Sequence, residues 1–204
     1  MSVIPVNLGA EDELSEAVLR RLLDFARRGY EIGIAYRRGG FGYLRRTIGG
    51  WNRAARSIPF IVLADLDAHP CPRVLIDDWL TEPQHQNLLF RVAVREVEAW
   101  LLADSRKLSQ YLLVRENLIP TDPEGLSDPK GTLIDLARKS KSSVIRDRIV
   151  PKRGSSARQG PDYNGCLVQF VLTQWDIRSA ADKSPSLART AERLASFRPR
   201  WLQL

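Results

Sequence analysis

The stretch FIVLADLDAHP (Phe60 to Pro70) carries strand-like apolar sequence into two carboxylates, Asp65 and Asp67, and then a His-Pro turn. Like charges at the lip of a hydrophobic core repel each other and lose hydration, which is costly unless a positive partner sits beside them. A divalent cation is such a partner. At the end of an extended strand, residues two apart project to the same side, roughly 7 Å apart at their α-carbons. Two monodentate carboxylates so placed can hold Mg²⁺ and leave coordination positions for water and a phosphate. The plainer use of the same pair is a strand end at Asp65 and a turn cap at Asp67.

Acids follow two other predicted strands. Glu11 and Asp12 come after the first, and Glu96 and Glu98 after the fourth. Glu13 and Glu16 fall in the first turn of a helix, where the dipole favours each acid by ~0.3–1 kcal/mol. Glu11 lies earlier, in the strand-to-helix loop, and takes the ligand or general-base role, with Glu13 as the alternative. If the helix has begun by Glu96, Glu96 and Glu98 cannot both face such a site, because residues two apart on a helix point to different sides. His69 and His85 suit no metal spacing and read as loop residues. Cys71 and Cys166 stand in unrelated contexts, which fits reduced thiols and neither a disulfide framework nor a zinc site.

The elements that must position these acids alternate. Ser2–Leu8, Tyr30–Arg37, Ile58–Asp67 and Asn87–Val94 read as strands. Between them, Leu14, Val18, Leu19, Leu22 and Leu23 mark one helix, and Leu44, Ile48, Trp51 and Ala55 a second that Gly49-Gly50 weakens. Arg73–Leu80 is a short helix, and Arg95–Leu112 carries a helical stripe of Val97, Leu101, Leu108 and Tyr111. Such βα alternation makes a mainly parallel sheet with right-handed crossovers, and parallel sheets take ligands beyond the carboxyl ends of their strands. The acids of three strand ends are therefore expected on one edge. After about Ile119 a proline-rich connection leads into helical sequence to the end of the chain. The expected organisation is a core over residues 1–115 and a helical region over 116–204 packed on it.

Of 204 residues, 44% are hydrophobic and 27% charged, which suits a compact chain with a real core. No apolar run approaches the ~20 residues of a membrane span, and the first residues lack a leader pattern, so a cytoplasmic protein is expected. The net charge is +7, unevenly spread. From Ile32 to Ala64 there is no acid, but Arg37, Arg38, Arg45, Arg46, Arg53 and Arg56 alternate with aromatic residues. A second basic segment, Pro151–Pro161, carries Lys152, Arg153 and Arg158, and a more dispersed one runs from Arg178 to Arg200. Guanidinium forks suit phosphate, and the 37–56 and 151–158 segments are expected to bind the nucleic-acid backbone without reading sequence, the plainer use of such charge being a solubilising surface.

A glutamate after the first strand, a DxD after the third and an acid after the fourth resemble the Toprim fold of topoisomerases, bacterial primases, small RNA-processing nucleases and OLD-family nucleases. More narrowly, AEDELSEAVLRRLL, VLADLDAHPCP, VREVEAWLLAD, LSDPKGTL and SPSLARTAERLASF resemble a bacterial group, domain-of-unknown-function family 4276. The broad resemblance covers about Ser2 to Leu112 and the narrow one almost the whole chain. It implies a Toprim-like, four-stranded, mainly parallel sheet with flanking helices and a C-terminal helical region. It also implies a Mg²⁺- or Mn²⁺-dependent nuclease acting on DNA or RNA, with a place in phage defence. The resemblance puts the metal on Glu11, Asp65, Asp67 and Glu98, and gives Lys130 the neutralisation of developing phosphate charge. Toprim proteins commonly follow the first glutamate with glycine, where this chain has Asp12. The alternative reading is a non-catalytic Toprim module that binds nucleic acid or a partner such as a defence-system ATPase.

Overall fold

The computed structural model describes residues 3–37 and 39–200. Arg38, one of the expected phosphate-binding arginines, lies outside the described residues. Among the described residues no helix is long and apolar enough to cross a membrane.

The chain divides into two compact units, Met1–Val94 with Arg189–Leu204, and Arg95–Ala188. The first contains a four-stranded, all-parallel sheet built from β1 (Ile4–Gly9), β2 (Tyr30–Tyr36), β3 (Phe60–Asp65) and β4 (Leu88–Ala93), in the order β2-β1-β3-β4. The α/β class expected from the alternation is what the chain forms, and the arrangement is consistent with a Toprim-like fold. The helices of this unit are α1 (Glu13–Ala26), α2 (Gly40–Ala54) and α3 (Pro72–Trp79).

One sheet face builds the core through alternation along the strands. Phe60, Val62 and Ala64 of β3 and Leu88, Phe90 and Val92 of β4 pack with Leu44, Ile48 and Trp51 of α2 and Leu75 and Trp79 of α3. Helix α2 runs unbroken through Gly49 and Gly50, the pair expected to weaken or interrupt it. Each glycine costs ~1 kcal/mol of helix propensity, yet burying the Leu44–Ile48–Trp51 stripe outweighs that cost. At the end of β1, a Cβ on Gly9 would stand 2.6 Å from a Trp51 ring carbon, so the missing side chain lets α2 lie close.

The second unit is helical: α4 (Val97–Ala103), α5 (Ser105–Leu112), α6 (Pro129–Arg138), α7 (Ser143–Ile149), α8 (Tyr163–Thr173) and α9 (Ile177–Ala181). The single helix expected over Arg95–Leu112 is two. Asp104 leaves helical geometry at φ −84°, ψ 66°, and its buried carboxylate accepts from the Lys107 and Asp176 backbone N–H groups. A buried carboxylate satisfied by two backbone donors caps the new helix and ends the old one. The last helix, α10 (Pro185–Ser196), begins in the second unit, and its chain continues into the first.

Candidate functional site

The strand-end acids of the first unit are placed by β1 and β3. These strands are parallel neighbours, with Gly9 opposite Val62, so β3 continues three residues past the end of β1, to Asp65. Glu11 follows β1, and its Oε1 accepts from the Asp65 backbone N–H at 3.0 Å. A carboxylate from the first strand-to-helix loop thus stands on the last residue of β3. Asp12 is the N-cap of α1: its Oδ1 accepts from the Ser15 N–H at 2.9 Å. That role occupies the position where Toprim proteins commonly carry glycine, and capping aspartates stabilise helices by about 1 kcal/mol. Glu13 points elsewhere, exposed and 4.0 Å from Arg37.

Asp67 departs from the expected geometry. Strand β3 ends at Asp65, Leu66 is buried, and Asp67 sits in a turn at φ +48°. The same-side projection of an extended i, i+2 pair therefore does not apply to Asp65 and Asp67. The left-handed region is sparsely used by residues with a Cβ, and aspartate is among the few that visit it routinely. His69 lies in the same turn, with Nδ1 3.1 Å from the Leu66 carbonyl.

The remaining acids and the lysine lie in the second unit. Glu96 is the N-cap residue of α4, in extended conformation, so it is not a helical residue two positions from Glu98. The opposite projection of residues two apart holds only once the helix has begun, so it does not apply to this pair. Glu96 Oε2 accepts from the Lys130 backbone N–H at 2.9 Å, while Glu98 Oε1 lies 3.6 Å from Lys130 Nζ. Glu98 is 3% exposed and also accepts from the Tyr163 hydroxyl at 2.9 Å. The Lys130 ammonium stands 5.2 Å from the Tyr163 ring centroid, within cation–π range. Tyr163 carried no signal in the sequence, because only a contact across 65 positions brings it to Glu98.

Burial, and after it the Glu98 charge, push the Glu96 carboxyl up to about 6, against the opposing Lys130 N–H. A carboxyl raised in the fold binds more protons folded than unfolded between its ordinary value of 4.5 and about 6. Stability therefore falls as pH rises through that window and is flat above it. In Glu96→Gln, whose amide oxygen still accepts from the Lys130 N–H, that fall is expected to shrink in thermal melts from pH 4.5 to 6.5; an unchanged profile would assign it elsewhere.

The expected phosphate-binding arginines of α2, and Arg37 before it, are not the acid-free surface that their sequence window suggests. Arg45 pairs with Asp78 at 3.0 Å, Arg53 with Glu82 at 3.1 Å and Arg37 with Glu16 at 3.3 Å. The fold brings acids from outside the window to meet them. All three arginines are half exposed, where a pair contributes ~0–1 kcal/mol and a phosphate can compete for the guanidinium. Arg46 is exposed on the same helix. In the second unit, Lys152 and Arg153 join Arg138 and Arg146 around an open groove of about 580 Å³, and Arg158 lines a neighbouring one with Arg138.

Comparison of the chain with protein-family models, with curated proteins and with solved structures finds no match. Among the described residues no group of three or more His, Cys, Asp or Glu side chains is gathered as a metal cage. Glu11, whose carboxylate meets the Asp65 backbone N–H, and Asp65 offer oxygen donors of the type used by Mg²⁺, which takes one or two carboxylates and leaves other positions to water and substrate phosphate. They fit that ion and do not fit a zinc-type centre.

Proposed function

We propose that the chain is a Toprim-type nuclease of the cytoplasm that hydrolyses phosphodiester bonds of DNA or RNA with Mg²⁺ or Mn²⁺, and that it serves in phage defence as the family resemblance implies. The observation that supports this most is the Glu11 carboxylate seated on the Asp65 N–H, which puts acids from two adjacent parallel strands at their carboxyl ends. Glu11 and Asp65 would hold the metal, with Asp67 contributing from the following turn. When bound, such an ion supplies Lewis-acid polarisation of a phosphoryl oxygen and offsets the charge that develops there. The chain itself fixes the Glu11 carboxylate against the β3 backbone and offers exposed guanidiniums that hold phosphates without reading bases.

The test is incubation of the wild-type protein with supercoiled plasmid and with structured RNA, in Mn²⁺ and in EDTA, beside an Asp65→Ala, Asp67→Ala double variant. Cleavage that needs the metal and disappears in the folded variant supports the reading. A folded wild-type protein that binds these substrates and cuts neither, at any Mn²⁺ concentration, would overturn it and leave the non-catalytic module.

A further inference from the structure

Unlike Arg45 and Arg53 of α2, the arginines around α10 form no ion pair among the described residues. In the first unit, Arg91 of β4 alternates with Phe90 and Val92, so it leaves the sheet on the face opposite α2 and α3. There its Nε donates to the Thr190 hydroxyl of α10 at 3.3 Å. Arg189 and Arg193, one helical turn apart and exposed, present their charges to it. At the other end of the same segment, Arg28 donates to the Phe197 carbonyl at 3.2 Å, and the Tyr30 hydroxyl donates to the Leu194 carbonyl at 2.6 Å. The charges of Arg28, Arg193 and Arg198 all bear on Tyr30.

None of Arg28, Arg91, Arg189, Arg193 and Arg198 has a carboxylate within ion-pair distance among the described residues, while Arg20, Arg37, Arg45, Arg53, Arg73, Arg138 and Arg148 each have one. The one acid of α10, Glu192, is exposed and makes no ion pair there. Burial first, then the charges of Arg193 and Arg189, push the Arg91 guanidinium below its ordinary pKa. Converging like charges around a half-buried arginine raise its free energy unless an anion is supplied. Among the described residues no carboxylate supplies one.

We propose that Arg91, Arg189 and Arg193, with Arg28 and Arg198 beyond them, form a phosphate-binding surface along α10 that takes the backbone of single-stranded nucleic acid. Guanidinium forks spaced along a helix face meet successive phosphates, and Arg91, held by Thr190, is the preoriented member. The surface extends the substrate contacts of the proposed nuclease but does not depend on the strand-end acids, because phosphate binding by arginine needs no metal.

The experiment is fluorescence anisotropy of a labelled single-stranded oligonucleotide with the full chain in EDTA, over a series of salt concentrations. Arg189→Glu, Arg193→Glu is compared with Arg106→Glu, Arg115→Glu, which makes the same charge change at two exposed positions of the second unit. The α10 variant is expected to bind at least about tenfold more weakly, with a salt slope shallower by about 1.4, since each single-strand phosphate contact contributes about 0.7. The other variant should stay within about threefold of wild type, a share of long-range attraction alone. Equal losses in both variants would overturn the proposal, as would unchanged binding in the α10 variant. Displacement of the oligonucleotide by inorganic pyrophosphate at equal phosphate concentration would also overturn it, in favour of a small-anion site. Binding without cleavage would sink the nuclease reading alone; cleavage with an α10 variant that binds like wild type would sink this surface alone.

Discussion

Replacing Glu11 by glutamine is expected to lower cleavage by roughly 10²–10³-fold while leaving the melting temperature nearly unchanged. The two side chains have the same shape, and the amide oxygen can still accept from the Asp65 N–H that now meets Glu11 Oε1 at 3.0 Å. What the substitution removes is the negative charge and the anionic oxygen that a hard cation requires. Such a loss is about 2.7–4 kcal/mol of transition-state stabilisation. Glu13→Gln is the matched comparison: that side chain is 57% exposed and at the limit of ion-pair distance from Arg37, so its removal should change cleavage by less than about twofold. Initial rates on plasmid at saturating Mn²⁺ separate the two. Equal rates for Glu11→Gln and wild type would remove Glu11 from the site.

The largest stability effect is expected from Lys130→Met. Glu98 is almost wholly buried, and Lys130 Nζ, 3.6 Å away, is its cationic partner. Breaking a buried pair from one side leaves a charge poorly compensated, at a cost of ~3–5 kcal/mol. The Lys130 side chain is 34% exposed, so water screens part of the interaction and the lower end applies. About 3 kcal/mol corresponds to a fall of roughly 6–12 °C in the melting temperature for a chain of this size. The methionine also forfeits the cation–π contact with Tyr163 but keeps most of the apolar stem. Adding Glu98→Gln, which can still accept from the Tyr163 hydroxyl, should recover part of the loss. A shift of less than about 2 °C in Lys130→Met would show that this pair contributes no more than a surface bridge.

The elements were legible where period and burial agree. The strand FIVLA and the stripe Leu44–Ile48–Trp51 announce a sheet with a helix against it, and all of these residues are buried. Glu11 was legible as a loop acid because Asp12, a good capping residue, leaves it outside the helix. Three features were not legible, two of them because a distant partner meets the residue. Asp67 turns left-handed where alternation assumed extension, and Asp104 ends a helix whose apolar stripe continues past it. Glu96 stays extended at the cap of α4, where the Lys130 N–H, 34 positions away, meets its carboxylate. The surroundings of the charges were hidden in the same way. An acid-free window in sequence is not acid-free in space once Asp78 and Glu82 fold onto it, whereas the Arg91–Arg189–Arg193 cluster draws its members from nearly 100 positions apart.

The most direct measurement is calorimetric titration of Mn²⁺ into wild-type protein and into the Asp65→Ala, Asp67→Ala variant, each with and without a non-cleavable oligonucleotide. The expected result is uptake by the wild type that strengthens with the oligonucleotide, since substrate phosphate completes the coordination, and loss of that uptake in a variant that remains folded. A folded wild-type protein that takes up no Mn²⁺ even with nucleic acid bound would contradict the assignment of a cation to the ends of β1 and β3.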